Sequence, residues 1–195
     1  LGVPVGIVQT AWGGTRAEAW ASPSSLAANA ELKPILDEWQ RQDAAWDPAQ
    51  AKSNYEAALT KWEMAVAKAK EEKKPAPNKP QPAADPHFSQ HRPSSLYNAM
   101  VHPLVPFAFR GAIWYQGESN ASRAYQYRVL MPTMIQSWRD AWKQGDFPFY
   151  QVQLANFKEI KPEPGDSDWA ELREAQMLAI DALPNVGVAC ITDIG

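Results

Sequence analysis

A largely apolar run from Phe107 to Tyr115, interrupted by Arg110, ends abruptly in Gln116-Gly117-Glu118-Ser119-Asn120, and a helical pattern follows. A buried strand that stops in polar groups and turns into a helix is how an open α/β sheet presents its chemistry, at the carboxyl ends of its strands. Ile7-Val8-Gln9-Thr10-Ala11-Trp12-Gly13-Gly14-Thr15 repeats the arrangement, so two strand ends are expected to face one site. The rest of the chain supports a parallel sheet. Strands are expected over residues 5–9, 107–116, 148–156 and 186–194, with helices over 125–143 and 168–183 between them. Such alternation places helices on both faces of the sheet. Pro132 is expected to kink the first of these helices or to mark its true start. Asp168 and Glu171 stand at capping-box spacing for the second.

Residues 30–90 interrupt this pattern. Leu32, Ile35, Leu36 and Trp39 share one side of a helix over 31–45, and Asp47-Pro48 both breaks it and starts another. In the second helix, running to about Lys74, Tyr55, Leu59, Trp62, Val66 and Ala69 recur at steps of four, three, four and three. That narrow stripe predicts an antiparallel helical hairpin, either a structural insert or a partner-binding arm. Six prolines between Pro75 and Pro93 then predict an extended connector. A short helix is expected over 94–100.

Composition excludes some classes. The formal charge of −3 gives no reason to expect nucleic acid or an anionic membrane as partner. No stretch approaches the roughly 20 apolar residues that span a bilayer. No Cys/His cluster has metal-ligand spacing, so neither metal nor cofactor is expected. The single cysteine, Cys190, sits in an apolar run and reads as a buried, inert thiol. Nine Trp and six Tyr serve core packing or sugar stacking.

Trp12-Gly13-Gly14-Thr15 lacks the spacing and the lysine of a phosphate loop, but two glycines after a strand let a backbone N–H approach a developing oxyanion. Gln116 can donate to such an oxygen without titrating, and Glu118 can accept a proton or orient a neighbour. The structural alternative is that Asn120 caps the next helix and Glu118 complements its dipole. Arg173 reads as a ligand for a sugar carboxylate or hydroxyl, or as half of a surface ion pair. Glu18 reads as an anchor for the glycine loop. Gly165-Asp166-Ser167 offers a serine, but no buried strand precedes it, so no nucleophile elbow forms there. His102 reads as a structural histidine.

Five ordered blocks carry a resemblance. They are Ala11-Trp12-Gly13-Gly14-Thr15 with Glu18 and Trp20; Leu96-Tyr97-Asn98 with Pro103-Leu104; Trp114 to Ala121; Gln153-Leu154-Ala155-Asn156-Phe157; and Leu172-Arg173-Glu174-Ala175-Gln176. Together they resemble the sialate O-acetylesterase family of the SGNH, or GDSL-like, hydrolases. The resemblance implies a three-layer α/β/α flavodoxin-like fold, incomplete here, over residues 1–195, with 30–90 as an insert. It implies a carbohydrate O-acetylesterase that removes acetyl groups from sugars through a Ser-His-Asp triad. By that resemblance Gly14 supplies a backbone oxyanion donor, Gln116 is favoured as the side-chain donor, and Glu118 and Asn120 complete the block. Asn98, Trp12 and Arg173 are the implied substrate contacts.

The family's Gly-Gln-Ser-Asn type motif would precede Leu1, and its Asp-x-x-His would follow Gly195. The chain is therefore expected to be a central fragment without its triad, inactive alone. It is also expected to be marginal or aggregation-prone for want of a central strand between 5–9 and 107–116. A periplasmic or secreted location is favoured for the parent. The alternatives are a non-catalytic carbohydrate-binding relative and an interaction protein built on the hairpin.

Overall fold

The computed structural model describes residues 2–159 and 162–193. Two compact units divide the chain, one formed by residues 1–37 with 90–195 and the other by 38–89.

In the first unit three short parallel strands, β1 (Ala112–Tyr115), β2 (Phe149–Val152) and β3 (Val186–Ala189), form a sheet in that order. Tyr115 pairs with Val152, and Val152 with Ala189, so the strands end together at one rim. Among the described residues the α-helices of the two units are α1 (Pro23–Ala28), α2 (Lys33–Ala45, which spans the division), α3 (Pro48–Glu71, in the second unit), α4 (Ala124–Trp142) and α5 (Asp168–Ala182). Helices α4 and α5 pack against each other and cover one sheet face. Trp114, Phe149 and Gln151 point into that layer. The Trp138 ring meets the Trp114 and Phe149 rings edge-on at 5.8 Å, and its indole N–H donates to Trp20 O at 2.8 Å. Each such side chain stabilises the core by about 1.5–3 kcal/mol when fully buried.

Helices on both faces were expected, yet the described residues leave the second face open. Ile113, Tyr115 and Tyr150 on that face are 79, 56 and 57% exposed. The expected strand at 5–9 is also absent. That segment runs without strand pairing, with Val5, Ile7 and Val8 at least 64% exposed. Apolar residues favour a strand only where a neighbour completes the hydrogen-bond ladder, and among the described residues β1 pairs with β2 alone.

The other strands are shorter than their apolar runs. Before β1, Phe109 exchanges two hydrogen bonds with the Gln144 side chain instead of a strand. Beyond β2, Leu154 N–H is taken by Gln176 Oε1 at 3.1 Å. β3 stops at Ala189, and Ile194, the end of the expected strand, lies outside the described residues. Cys190 just after it is exposed rather than buried, because the strand that would enclose it has ended. Its thiol is held below the usual range by a 3.3 Å contact with the Thr192 hydroxyl.

The helices follow their sequence signals closely. α4 passes through Pro132 without ending there. The missing N–H costs about 3 kcal/mol, set against a face from Tyr127 to Trp138 that is almost wholly buried. Ser167, not Asp168, caps α5, its Oγ accepting from Ala170 N–H at 3.3 Å. The short helix expected at 94–100 is a π-helical turn, Tyr97–Val101.

In the second unit Asp47 Oδ1 caps α3 through Ala49 N–H and Gln50 N–H. The stripe from Tyr55 to Ala69 is half-buried throughout, and no α3 residue is fully buried. Its partner is the proline connector rather than α2, which packs little against it. Trp62 Nε1 donates to Pro77 O at 2.9 Å, and Lys79 Nζ lies 5.7 Å from the Trp62 ring centre. A chain poor in N–H donors loses little by lying along a helix instead of joining a ladder.

Candidate active site

The glycine turn and the end of β1 meet. Gly14 adopts φ +73°, a left-handed conformation that a residue with a Cβ rarely takes. Thr15 Oγ1 donates to Trp12 O at 2.7 Å and accepts from Trp20 Nε1 at 2.9 Å, which closes the turn. After β1, Gly117 takes φ +156°, where a Cβ would stand 2.6 Å from Leu172 Cδ2. A side chain at this position would be strained and would displace Leu172 of α5, so glycine favours the tight turn here.

Four side chains lock the two segments together. Gln116 Nε2 donates to Thr15 O at 3.0 Å and to Asn120 Oδ1 at 2.7 Å, while its Oε1 accepts from the Tyr127 hydroxyl at 3.0 Å. Ser119 Oγ donates to Gly14 O at 2.7 Å. Asn120 Oδ1 also accepts from Ala17 N–H at 3.0 Å, and its Nδ2 donates to Glu18 Oε2 at 2.9 Å. Glu18, wholly buried, pairs through Oε1 with Arg123 at 2.5 Å, and its carbonyl accepts from Ser94 N–H.

This geometry separates groups that hold the site from groups that face solvent. Both N–H bonds of Gln116 are committed inside the protein, so its carboxamide clamps the glycine turn and has no donor left for a ligand. Asn120 is 1% exposed and caps no helix; its side chain serves the same clamp. Gly13 and Gly14 are exposed, and among the described residues neither backbone N–H has a partner. Glu118 is exposed at the start of a 3-10 turn, and among the described residues its carboxylate has no hydrogen-bond or ion-pair partner. Burial pushes the Tyr127 hydroxyl well above its usual range, so it remains a donor to Gln116.

The other candidates spread along the rim. Trp12 is 53% exposed on the glycine turn. Asn98 is exposed on the π-helical turn, which is joined to the glycine segment by Thr10 Oγ1 donating to Met100 O at 3.3 Å. Among the described residues Arg173 makes no surface ion pair. It holds the end of β2, donating through Nε to Leu154 O and through its guanidinium to Asn156 Oδ1, both at 2.8 Å. Ser167 is a helix cap, and His102 is an exposed ring 6.0 Å from Tyr97. Among the described residues no group of three His, Cys, Asp or Glu could hold a metal ion, and no helix is long and apolar enough to cross a membrane. A surface concavity beside the end of α4, lined by Gln136, Arg139, Lys143 and Asp146, shares no residue with this rim.

Gln176 is the residue that sequence reasoning gave no role. Its Nε2 donates to Gln116 O at 3.0 Å and its Oε1 accepts from Leu154 N–H, so one side chain joins the ends of β1 and β2. The available signal was a polar residue on the buried stripe Leu172, Ala175, Ala179 of α5.

Comparison with known proteins adds what geometry leaves open. Residues 86–194 match a family described as carbohydrate esterase, sialic acid-specific acetylesterase. The chain is 30% identical to the sialate O-acetylesterase of Mus musculus over 205 residues, covering 95% of this chain and 32% of that protein. It is 27% identical to the sialate O-acetylesterase of Homo sapiens, covering 95% and 28% respectively. A crystal structure of a carbohydrate acetylesterase from Xanthomonas citri is similar across 100% of this chain and 32% of its own, with 35% identity and a TM-score of 0.63. The chain thus spans about a third of the length of these relatives.

Proposed function

Because the chain belongs to the sialic acid-specific acetylesterase family of carbohydrate esterases, we propose that the whole protein hydrolyses acetyl esters on sugars and that these residues build the oxyanion side of its site. A serine attacks the acetyl carbonyl, a histidine takes the serine proton, and the carbonyl oxygen becomes an oxyanion. The serine and an Asp-x-x-His motif come from parts of the protein outside these residues. Gly14 N–H donates to the oxyanion. Gln116, Ser119 and Asn120 act one step back, holding the turn so that the donor is aimed before charge develops. Glu118 stands at the same rim as a candidate to orient the base. Trp12 and Asn98 face the sugar, whereas Arg173 shapes the wall from behind. An O-acetylated sialic acid is the first substrate to test, with acetylated xylan as the alternative.

The observation that carries this reading is an exposed, unengaged glycine N–H on a turn clamped to a neighbouring strand end. The test is acetate release from these sugars by the whole protein and by its Gly14→Pro variant, which removes the N–H and, with φ fixed at about −65°, also the left-handed turn that aims it. Loss of one oxyanion donor is expected to lower kcat about 10²–10³-fold. Full kcat in a folded Gly14→Pro variant, or no acetate from any acetylated sugar, would sink it.

A further inference from the structure

We infer that the stacked pair Phe157 and Trp169 is a subsite for a pyranose ring of the acetylated glycan. The inference rests on the esterase reading above. The two rings lie 5.3 Å apart at an interplanar angle of 28°, yet Phe157 remains 79% exposed. One face of the ring is therefore used and the other is open to solvent.

The ring is not on a loose segment. Leu154 N–H donates to Gln176, Leu154 O accepts from Arg173 Nε, Ala155 O accepts from Trp169 Nε1 at 2.9 Å, and Asn156 Oδ1 accepts from Arg173. Residues 154–156 are thus bonded to α5 one after another. The open aromatic face just beyond them is presented by a fixed scaffold, which lowers the ordering cost of binding. Its place also fits. The segment leaves the carboxyl end of β2, and Gln176 ties that end to Gln116, the clamp of the glycine turn.

A flat apolar face matches the C–H face of a pyranose, while hydroxyls need polar groups at its border. The exposed Asn156 amide flanks the ring on one side in sequence, with one N–H engaged by Thr192 O. On the other, Lys158 lies 5.9 Å from the Trp169 ring centre and pairs with Asp168.

The experiment uses the whole protein with two substrates, an O-acetylated sialic acid or acetylated xylo-oligosaccharide and ethyl acetate, which has no ring. Phe157→Ala is expected to lower the ratio of kcat/KM on the sugar ester to that on ethyl acetate by about tenfold, mainly through KM. Phe157→Tyr, which keeps the flat face, should restore it. An unchanged ratio in Phe157→Ala overturns the subsite and leaves the esterase reading intact. No hydrolysis of either substrate by the unaltered protein removes that reading and the subsite with it.

Discussion

At the scale of single residues, a carboxamide does more for this site by being saturated than by being free. Gln116 spends two donors and one acceptor on Thr15, Asn120 and Tyr127, and it is 7% exposed. Replacing it by leucine keeps its bulk but strands Thr15 O away from water and leaves the Tyr127 hydroxyl only the weak acceptor Met131 Sδ, at 3.4 Å. Each buried orphan costs about 1–3 kcal/mol, so Gln116→Leu is expected to destabilise the chain by roughly 2–4 kcal/mol. Urea unfolding followed by tryptophan fluorescence measures this; a midpoint equal to that of the unaltered chain would show that the clamp carries no weight. That Gly14 and Gln116 share a rim was legible, because glycine pairs and amides after apolar runs mark strand ends. The division of labour was not. Gln116 looked like a ligand donor because its partner Thr15 lies 101 residues earlier, where spacing rules do not reach.

Helices and strands differ in how much of their making is local. The cap of α3 at Asp47 and the start of α5 were readable to within a residue, since a cap bonds to amides two or three positions on. The middles of β1, β2 and β3 were readable from apolar runs. Their ends were not, because Gln144 and Gln176, remote in sequence, take over the backbone groups there. The segment 5–9 shows the same limit, an apolar run with no ladder to join. Ser167 gives the element-scale prediction. As a cap, its change to alanine should cost about 1 kcal/mol of stability and leave acetyl hydrolysis by the whole protein as it was. Loss of hydrolysis in a folded Ser167→Ala protein would instead make that serine a nucleophile.

At the scale of the whole chain, the open sheet face is expected to set how these 195 residues associate in solution. Ile113, Tyr115 and Tyr150 expose adjoining apolar surface beside the unpaired edge of β1, a combination that favours association. The 195-residue chain alone is expected to scatter light at rising concentration. Ile113→Lys with Tyr150→Lys should delay that onset, since charge on an exposed sheet opposes sticking. Equal scattering by both proteins would place the sticky surface elsewhere. The bonds from Gln116, Ser119 and Asn120 back to residues 14–18 have a different consequence. They fasten both ends of a long excursion of the chain at the rim itself. The entropy of closing such a loop grows only with the logarithm of its length, about 0.6 kcal/mol for each doubling. Lengthening or shortening the part of the excursion that forms its own unit, residues 38–89, therefore changes the closure cost little, whereas Leu26 and Leu32, in the excursion's first part, are fully buried and fixed by packing.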